Sequence, residues 1–199
     1  MSTTPTAAGR ADELVDPIRA ARNLAGADRT AGIAALNRLF RDGRVPDPAP
    51  DGPYDGELVA VDITPGLSQL VEWLASLWMP WKGKFLIQER SQGDNIFGRG
   101  SRTAMHILFP FYRGMVDYEP ETFRAFIFQT SIDAGMVDRD RRVFRIDYDR
   151  PDNPALSIRR IVDEIVQVGE GLYLGKIHFR WWWGRWGMIG YFALRRRPR

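Results

Sequence analysis

The stretch RIVDEIVQVGEGLYLGKIHFRWWWGRWGMIGYFALRR, residues 160–196, decides the fold. It reads as three strands, 160–168, 172–183 and 186–196, each rich in aromatic and β-branched residues. The breaks carry turn chemistry, Gly169-Glu170-Gly171 and Gly184-Arg185. Connections that short cannot hold a crossover helix, so neighbouring strands run antiparallel. Two more strands precede them, 122–132 and 142–148, set off by Asp138-Arg139-Asp140 and by Pro151-Asp152-Asn153-Pro154. A meander of five such strands closes most readily into a barrel, because closure removes exposed edges.

Further upstream, 57–63 alternates as a first strand, and 84–88 and 95–98 read as short ones. Thr64-Pro65 opens a helix over 65–78, with Thr64 as N-cap and Pro65 at the first helical position. Its stripe is Leu67, Leu70, Val71, Leu74, Leu77 and Trp78, and Pro80 ends it. Ser101 caps a helix through Met105, Leu108 and Phe109 that Pro110 limits. Residues 1–12 read as a disordered lead. Two helices follow over about 13–24, with Pro17 early, and 28–41, with Asp28 as N-cap and Gly43 at the C-terminus. The second places Ile33, Leu36, Leu39 and Phe40 on one face. Pro46, Pro48, Pro50 and Pro53 make the next stretch an extended linker. The expectation is therefore an α+β protein: a helical arm over 1–45, a linker over 46–53, and an antiparallel β-barrel over 54–199 with a helix inserted after its first strand.

Composition removes several function classes. The 199 residues hold 28 basic and 25 acidic side chains, and four of the basic ones, Arg195, Arg196, Arg197 and Arg199, crowd the C-terminus. The basic surplus is a tail property, read as a solubilising extension, and gives no nucleic-acid-binding face. With no cysteine there is no disulfide, thiolate nucleophile or cysteine-ligated metal, and two histidines cannot build a three-histidine site. No G-x-S-x-G, P-loop or dinucleotide fingerprint occurs; Gly66-Leu67-Ser68-Gln69-Leu70 and Gly98-Arg99-Gly100-Ser101 both fall short. Asp138/Asp140 and Asp147/Asp149, beside turns, read as solvated rather than as metal ligands. No apolar run reaches the 18 or so residues of a membrane span. With no signal-peptide pattern at 1–9, the expected compartment is the cytoplasm.

The order of short motifs resembles the GXWXG family with its C-terminal domain of unknown function. The pieces are Leu39-Phe40-Arg41-Asp42-Gly43, Gly52-Pro53-Tyr54-Asp55-Gly56, Trp81-Lys82-Gly83-Lys84-Phe85, Tyr173-Leu174-Gly175-Lys176 and Tyr191-Phe192-Ala193-Leu194-Arg195-Arg196. They span 33–196. Tyr54 stands where the family has tryptophan, and the run Trp181–Trp186 has no counterpart. The first-strand motif is also similar to that of calycin barrels, the lipocalins, fatty-acid-binding proteins and nitrobindins. The resemblance implies that Gly52, Tyr54 and Gly56 plug one barrel end, with Arg195 or Arg196 lying over the aromatic.

Candidate functional residues come from strand alternation. Leu172, Leu174, Lys176, His178, Arg180 and Trp182 share one face, which is either solvated or the lining of a polar cavity. Glu164 shares a face with Val162, Val166 and Val168, and an inward carboxylate there needs a partner such as Lys176 or Arg180. The alternative is a solvated cross-strand pair. His178 is open to three roles: base, simple hydrogen-bonding group, or, by the nitrobindin likeness, haem ligand. His106 reads as a packed helix residue. The tryptophans of 73–81 and 181–186 suit a packed barrel, an aromatic ligand pocket or a membrane interface.

The leading expectation is binding of a small apolar molecule in the barrel, oriented by Glu164, Lys176, His178, Arg180 or Trp182, with no cofactor. One alternative is a cofactor-independent isomerase or cyclase using His178 or Glu164. Another is a protein-interaction module using the helical arm.

Overall fold

The strand-forming sequence does close on itself. The computed structural model describes residues 16–61 and 80–198. Its helices are α1 (Pro17–Ala27), α2 (Arg29–Asp42) and α3 (Arg102–Leu108). Its strands are β1 (Gly52–Val61), β2 (Trp81–Ile87), β3 (Gln92–Gly98), β4 (Val116–Asp117), β5 (Thr122–Ala134), β6 (Arg142–Asp147), β7 (Ile161–Gly169), β8 (Leu172–Arg180) and β9 (Trp186–Arg196). Neighbours run β3-β2-β1-β9-β8-β7-β6-β5, and β5 returns to pair with β3. All pairings are antiparallel. Eight strands thus form a closed, calycin-like barrel, and short β4 adds to β5 outside the ring. The helix expected over 65–78 and the lead over 1–12 lie outside the described residues.

Alternation sorts side chains into two cores. Ile161 and Ile165 of β7 and Ile177 and Phe179 of β8 belong to the barrel interior, together with Phe97, Phe128 and Phe192. Val166 and Leu174 face outward and pack with Ile18, Leu36 and Phe40 of the helices. The outer wall is therefore not a solvated surface there. Burying a side chain such as Leu36 or Phe40 stabilises by about 1.5–3 kcal/mol. The helical arm is part of the folded unit, and its apolar stripe is used against the barrel rather than free for a partner.

Local chemistry fixes the arm. Helix α1 has Asp16 as its N-cap, its carboxylate accepting from the backbone N–H groups of Ile18 and Arg19 at 3.1 and 3.2 Å, and residues 13–15 of the helix expected over 13–24 lie outside the described residues. Asp28 caps α2 by accepting from Ala31 N–H at 3.0 Å. Gly43 ends α2 in an extended conformation. Its value is close approach: a Cβ there would stand 2.5 Å from Val166 Cγ2. The proline-rich segment is not a free linker. Arg44 and Gln167 exchange backbone hydrogen bonds at 3.1 and 2.7 Å, and Pro53 already lies in β1 opposite Phe85.

Strand parity places the connections. Those after β1, β3, β6 and β8 share one end of the barrel. The turns after β2, β5 and β7 share the other, with the start of β1 and the end of β9. Strand β8 stops at Arg180, not at 183, because Trp181–Arg185 close a turn in which Trp181 N–H donates to Arg185 O at 2.8 Å.

Gly83 carries the tightest contact between β1 and β2. Its φ is +145°, and a Cβ would lie 1.9 Å from Tyr54 O. Gly83→Ala is expected to break this pairing and lower the melting temperature sharply. Gly100→Ala, with nothing within 4 Å of the added methyl, should leave it unchanged; equal melting curves for the two variants would contradict the assigned contact.

Candidate functional site

The polar group at the centre of the barrel is the ammonium of Lys84. It donates to Asn95 Oδ1 at 3.0 Å, to Asp163 Oδ2 at 2.8 Å and to the Tyr148 hydroxyl. Trp81 Nε1 donates to the same Asn95 oxygen at 3.1 Å, and Tyr148 OH lies 3.2 Å from Asp163 Oδ2. Four aromatic faces, of Trp81, Phe128, Tyr148 and Phe192, surround Nζ at 5.1–5.5 Å. Lys84 is on β2 and Asp163 on β7, four strands apart whichever way the ring is followed. The ion pair therefore braces opposite walls.

Burial shapes the protonation of this cluster. Loss of water pushes the Lys84 ammonium below its ordinary value of 10.5, and the Asp163 charge opposes the shift. Burial, and next the Asp163 charge, raises the Tyr148 phenol well above 10.0, so it remains a protonated donor. The aromatic faces add cation–π attraction for the charged amine.

Beside the cluster is a cavity of about 40 Å³ whose walls include Trp81, Phe97, Phe126, Ile161, Ile177 and Phe192, with Lys84, Asn95, Tyr148 and Asp163 as its polar members. That volume holds a few waters at most. On one lining residue, Asp163, the Oδ1 atom is buried and accepts no hydrogen bond from the described residues. Phe126 lines the same space with φ at +59°, unusual for a bulky residue. It sits where β5 bulges against β3, held by its N–H donating to Tyr112 OH at 2.5 Å and by Asn95 Nδ2 donating to its carbonyl at 3.3 Å. Backbone held in such a region costs about 1–3 kcal/mol and tends to mark functional walls.

The residues singled out from the sequence lie elsewhere. Glu164, Lys176 and His178 face outward, yet all are buried, because α2 and the β5–β6 turn cover this part of the wall. Glu164 accepts from Met136 N–H at 2.6 Å and meets His178 Nε2 at 3.1 Å. Lys176 pairs not with Glu164 but with Asp138 at 2.6 Å, and stands 4.4 Å from the Phe40 ring centre. Asp138 and Asp140 are not idle turn carboxylates, since Arg41 clamps both. Arg180 is exposed, and its guanidinium lies 5.8 Å from the Trp186 ring. Trp182 and Trp183 are 57% and 61% exposed on the β8–β9 turn, while Trp181 is buried and stacks on Trp183. His106 is exposed, not packed.

At the other end Tyr54 is buried edge-to-face against Tyr173. Arg196 reaches its hydroxyl at 3.5 Å, whereas Arg195 turns outward to Asp16 at 2.5 Å. Gly52 has open space beside it, and a Cβ on Gly56 would meet the Trp81 ring at 2.4 Å. A haem held by His178 does not fit these residues. The imidazole is outside the barrel against Glu164, and the interior cavity is far smaller than a macrocycle.

The inward cluster of Lys84, Asn95, Tyr148 and Asp163 escaped the sequence reading. A usable signal was present in Asp163 itself, a lone carboxylate between Ile161 and Ile165 on one strand face.

Two outcomes follow. Removing one charge of a buried pair strands the other at a cost of about 3–5 kcal/mol, whereas removing both is often nearly neutral. Lys84→Met and Asp163→Leu are each expected to lower unfolding free energy by that amount, and the double variant to recover most of it, as read by denaturant titration. Burial alone would raise the Asp138 carboxyl, but hydrogen bonds from Lys176 and Arg41 outweigh it and hold it below 3.8. Its stabilisation is thus present above the unfolded-state value and fades as pH falls through the folded one. The stability gap between wild type and Asp138→Asn should therefore be widest near neutrality and shrink below about pH 4.

No family model matches the chain, and no curated protein matches it. A solved structure of a protein from Thermomonospora curvata matches over 92% of this chain and 100% of that chain, at 16% sequence identity and a TM-score of 0.51. At that identity the likeness shows the fold alone.

Proposed function

We propose that this protein binds a small, largely apolar molecule inside the barrel, beside the Lys84–Asp163 cluster. One observation carries the reading: an aromatic-walled cavity lined in part by Asp163, a residue with one buried carboxylate oxygen that has no partner among the described residues. Pockets of this make-up, apolar walls with a few convergent polar groups, are the usual sites of small-molecule recognition. The apolar walls supply affinity, and Asp163, oriented by Lys84 and Tyr148, supplies orientation. Admission of anything larger than a few waters requires wall side chains to change rotamer, with Phe126 at its strained position the first candidate. The barrel end carrying the β3–β5, β6–β7 and β8–β9 connections is the proposed entrance. Exposed Ile107, Phe111, Leu156, Trp182 and Trp183 lie on those connections. The motif resemblance to the GXWXG family bears on the fold more than on the function and specifies no ligand.

A second reading rests on the same oxygen. A buried carboxylate beside an ammonium and a phenol can take a proton from carbon and return it elsewhere, as a cofactor-independent isomerase does. The acid–base role then falls to Asp163 and Tyr148 rather than to Glu164 and His178.

Native mass spectrometry of the protein purified gently from its own host is expected to show a stoichiometric added mass, lost in Ile177→Phe, which fills the cavity while keeping the wall apolar. An added mass that survives this substitution would place the ligand elsewhere. A supplied ligand recovered with solvent deuterium on carbon would favour the isomerase.

A further inference from the structure

Taking the barrel cavity as the binding site, as proposed above, the hydrogen-bond inventory of its walls narrows the ligand class. An ammonium has three hydrogens, and Lys84 has three acceptors for them: Asn95 Oδ1, Tyr148 OH and Asp163 Oδ2. The Trp81 indole hydrogen is taken by Asn95 Oδ1. The Tyr148 hydroxyl hydrogen has that same oxygen at 3.1 Å and Asp163 Oδ2 at 3.2 Å. One amide hydrogen of Asn95 Nδ2 goes to Phe126 O. Among the described residues, what remains is one acceptor, Asp163 Oδ1, and the second hydrogen on Asn95 Nδ2. Asn95 and Asp163 hold the same ammonium through their other side-chain oxygens, and both residues line the cavity.

We infer that the cavity selects a neutral hydroxyl compound, an alcohol or phenol with an apolar body, and rejects carboxylic acids of the same shape. A hydroxyl group donates once and accepts readily, which matches the unused pair. A carboxylate has no hydrogen for Asp163 and would bring a second negative charge against it. Its natural partner, Lys84, has no hydrogen left to give. An ether or ketone accepts but cannot donate, leaving the carboxylate oxygen buried and unpaired. A cationic ligand would meet the Lys84 ammonium, which already occupies the surrounding aromatic faces. Specificity of this kind comes from the groups left unsatisfied in the wrong complex as much as from the bond formed in the right one.

Phenol, anisole and benzoate share a ring and differ in the group that decides the matter. Each is titrated into the full chain, and binding is read from backbone amide shifts of Asp163, Asn95 and Ile177. Phenol is expected to bind about tenfold or more tightly than anisole, in line with a hydrogen bond to a charged acceptor, and benzoate to leave these signals unmoved at the same concentrations. In Lys84→Met/Asp163→Leu, which removes the acceptor without stranding a charge, phenol and anisole should bind alike. If that variant does not fold, the three wild-type titrations still decide. Equal binding of phenol and anisole, or tighter binding of benzoate, would overturn the hydroxyl preference while leaving a ligand-binding barrel in place. No binding of all three, nor of the smaller propan-1-ol, would overturn the binding reading itself.

Discussion

One ion pair organises the interior. Lys84 and Asp163 project from opposite walls and meet inside a ring of aromatic side chains. Neither charge is tolerable alone at 2% and 4% exposure. Their union is acceptable only because Asn95 and Tyr148 complete the hydrogen bonding around the ammonium. The pair thereby sets the separation of β2 and β7. It also puts polar groups at the centre of the barrel, where the cavity lies beside them.

A second charge network, buried at Asp138 and Lys176 and exposed at Arg41 and Asp140, lies outside the wall and plays a structural part of another kind. Arg41 of α2, Asp138 and Asp140 of the β5–β6 turn, and Lys176 of β8 join three separate parts of the chain. Glu164 and the Met136 amide add a fourth point. Helix α2 is thus held to the barrel both by apolar contact through Leu36 and Phe40 and by directional bonds that fix its rotation. The two networks lie on opposite faces of one strand, β7, at neighbouring residues Asp163 and Glu164.

Much of the fold was legible in the sequence, because strands with period-two alternation and short polar breaks admit few architectures. The strands from 122 onward fall close to where their patterns place them. The inside–outside sign was not legible. Val162, Glu164, Val166 and Val168 look core-directed and the first three are buried, but the core that Val166 and Val168 join is the one under α2. When helices cover the outside of a barrel, both strand faces become apolar, and alternation no longer tells the cavity from the outer layer. Lys84 was hidden by a different effect. A register shift between Trp81 and Gly83 changes parity, so Trp81 and Lys84 both point inward although an odd number of positions separates them. No single-sequence pattern carries such a bulge. Asn95 and Tyr148 acquire meaning only once Lys84 is placed.

The ring also has a temporal side. Hairpins such as β7–β8 pair residues close in sequence, but the seam between β1 and β9 joins Tyr54 to Arg196, 142 positions apart. Closure therefore has to wait for the final strand to be synthesised. Until then β1 presents an unpaired edge, and the apolar stripe of α2 has only part of its platform, since Ala193 and Tyr191 of that platform arrive last. Such long-range pairing slows folding and prolongs the exposure of sticky surface. The nascent chain is thus most exposed to aggregation and to chaperone capture in the interval before β9 docks, and a lesion in β9 should reduce yield in the cell more than an equally destabilising one in the β7–β8 hairpin.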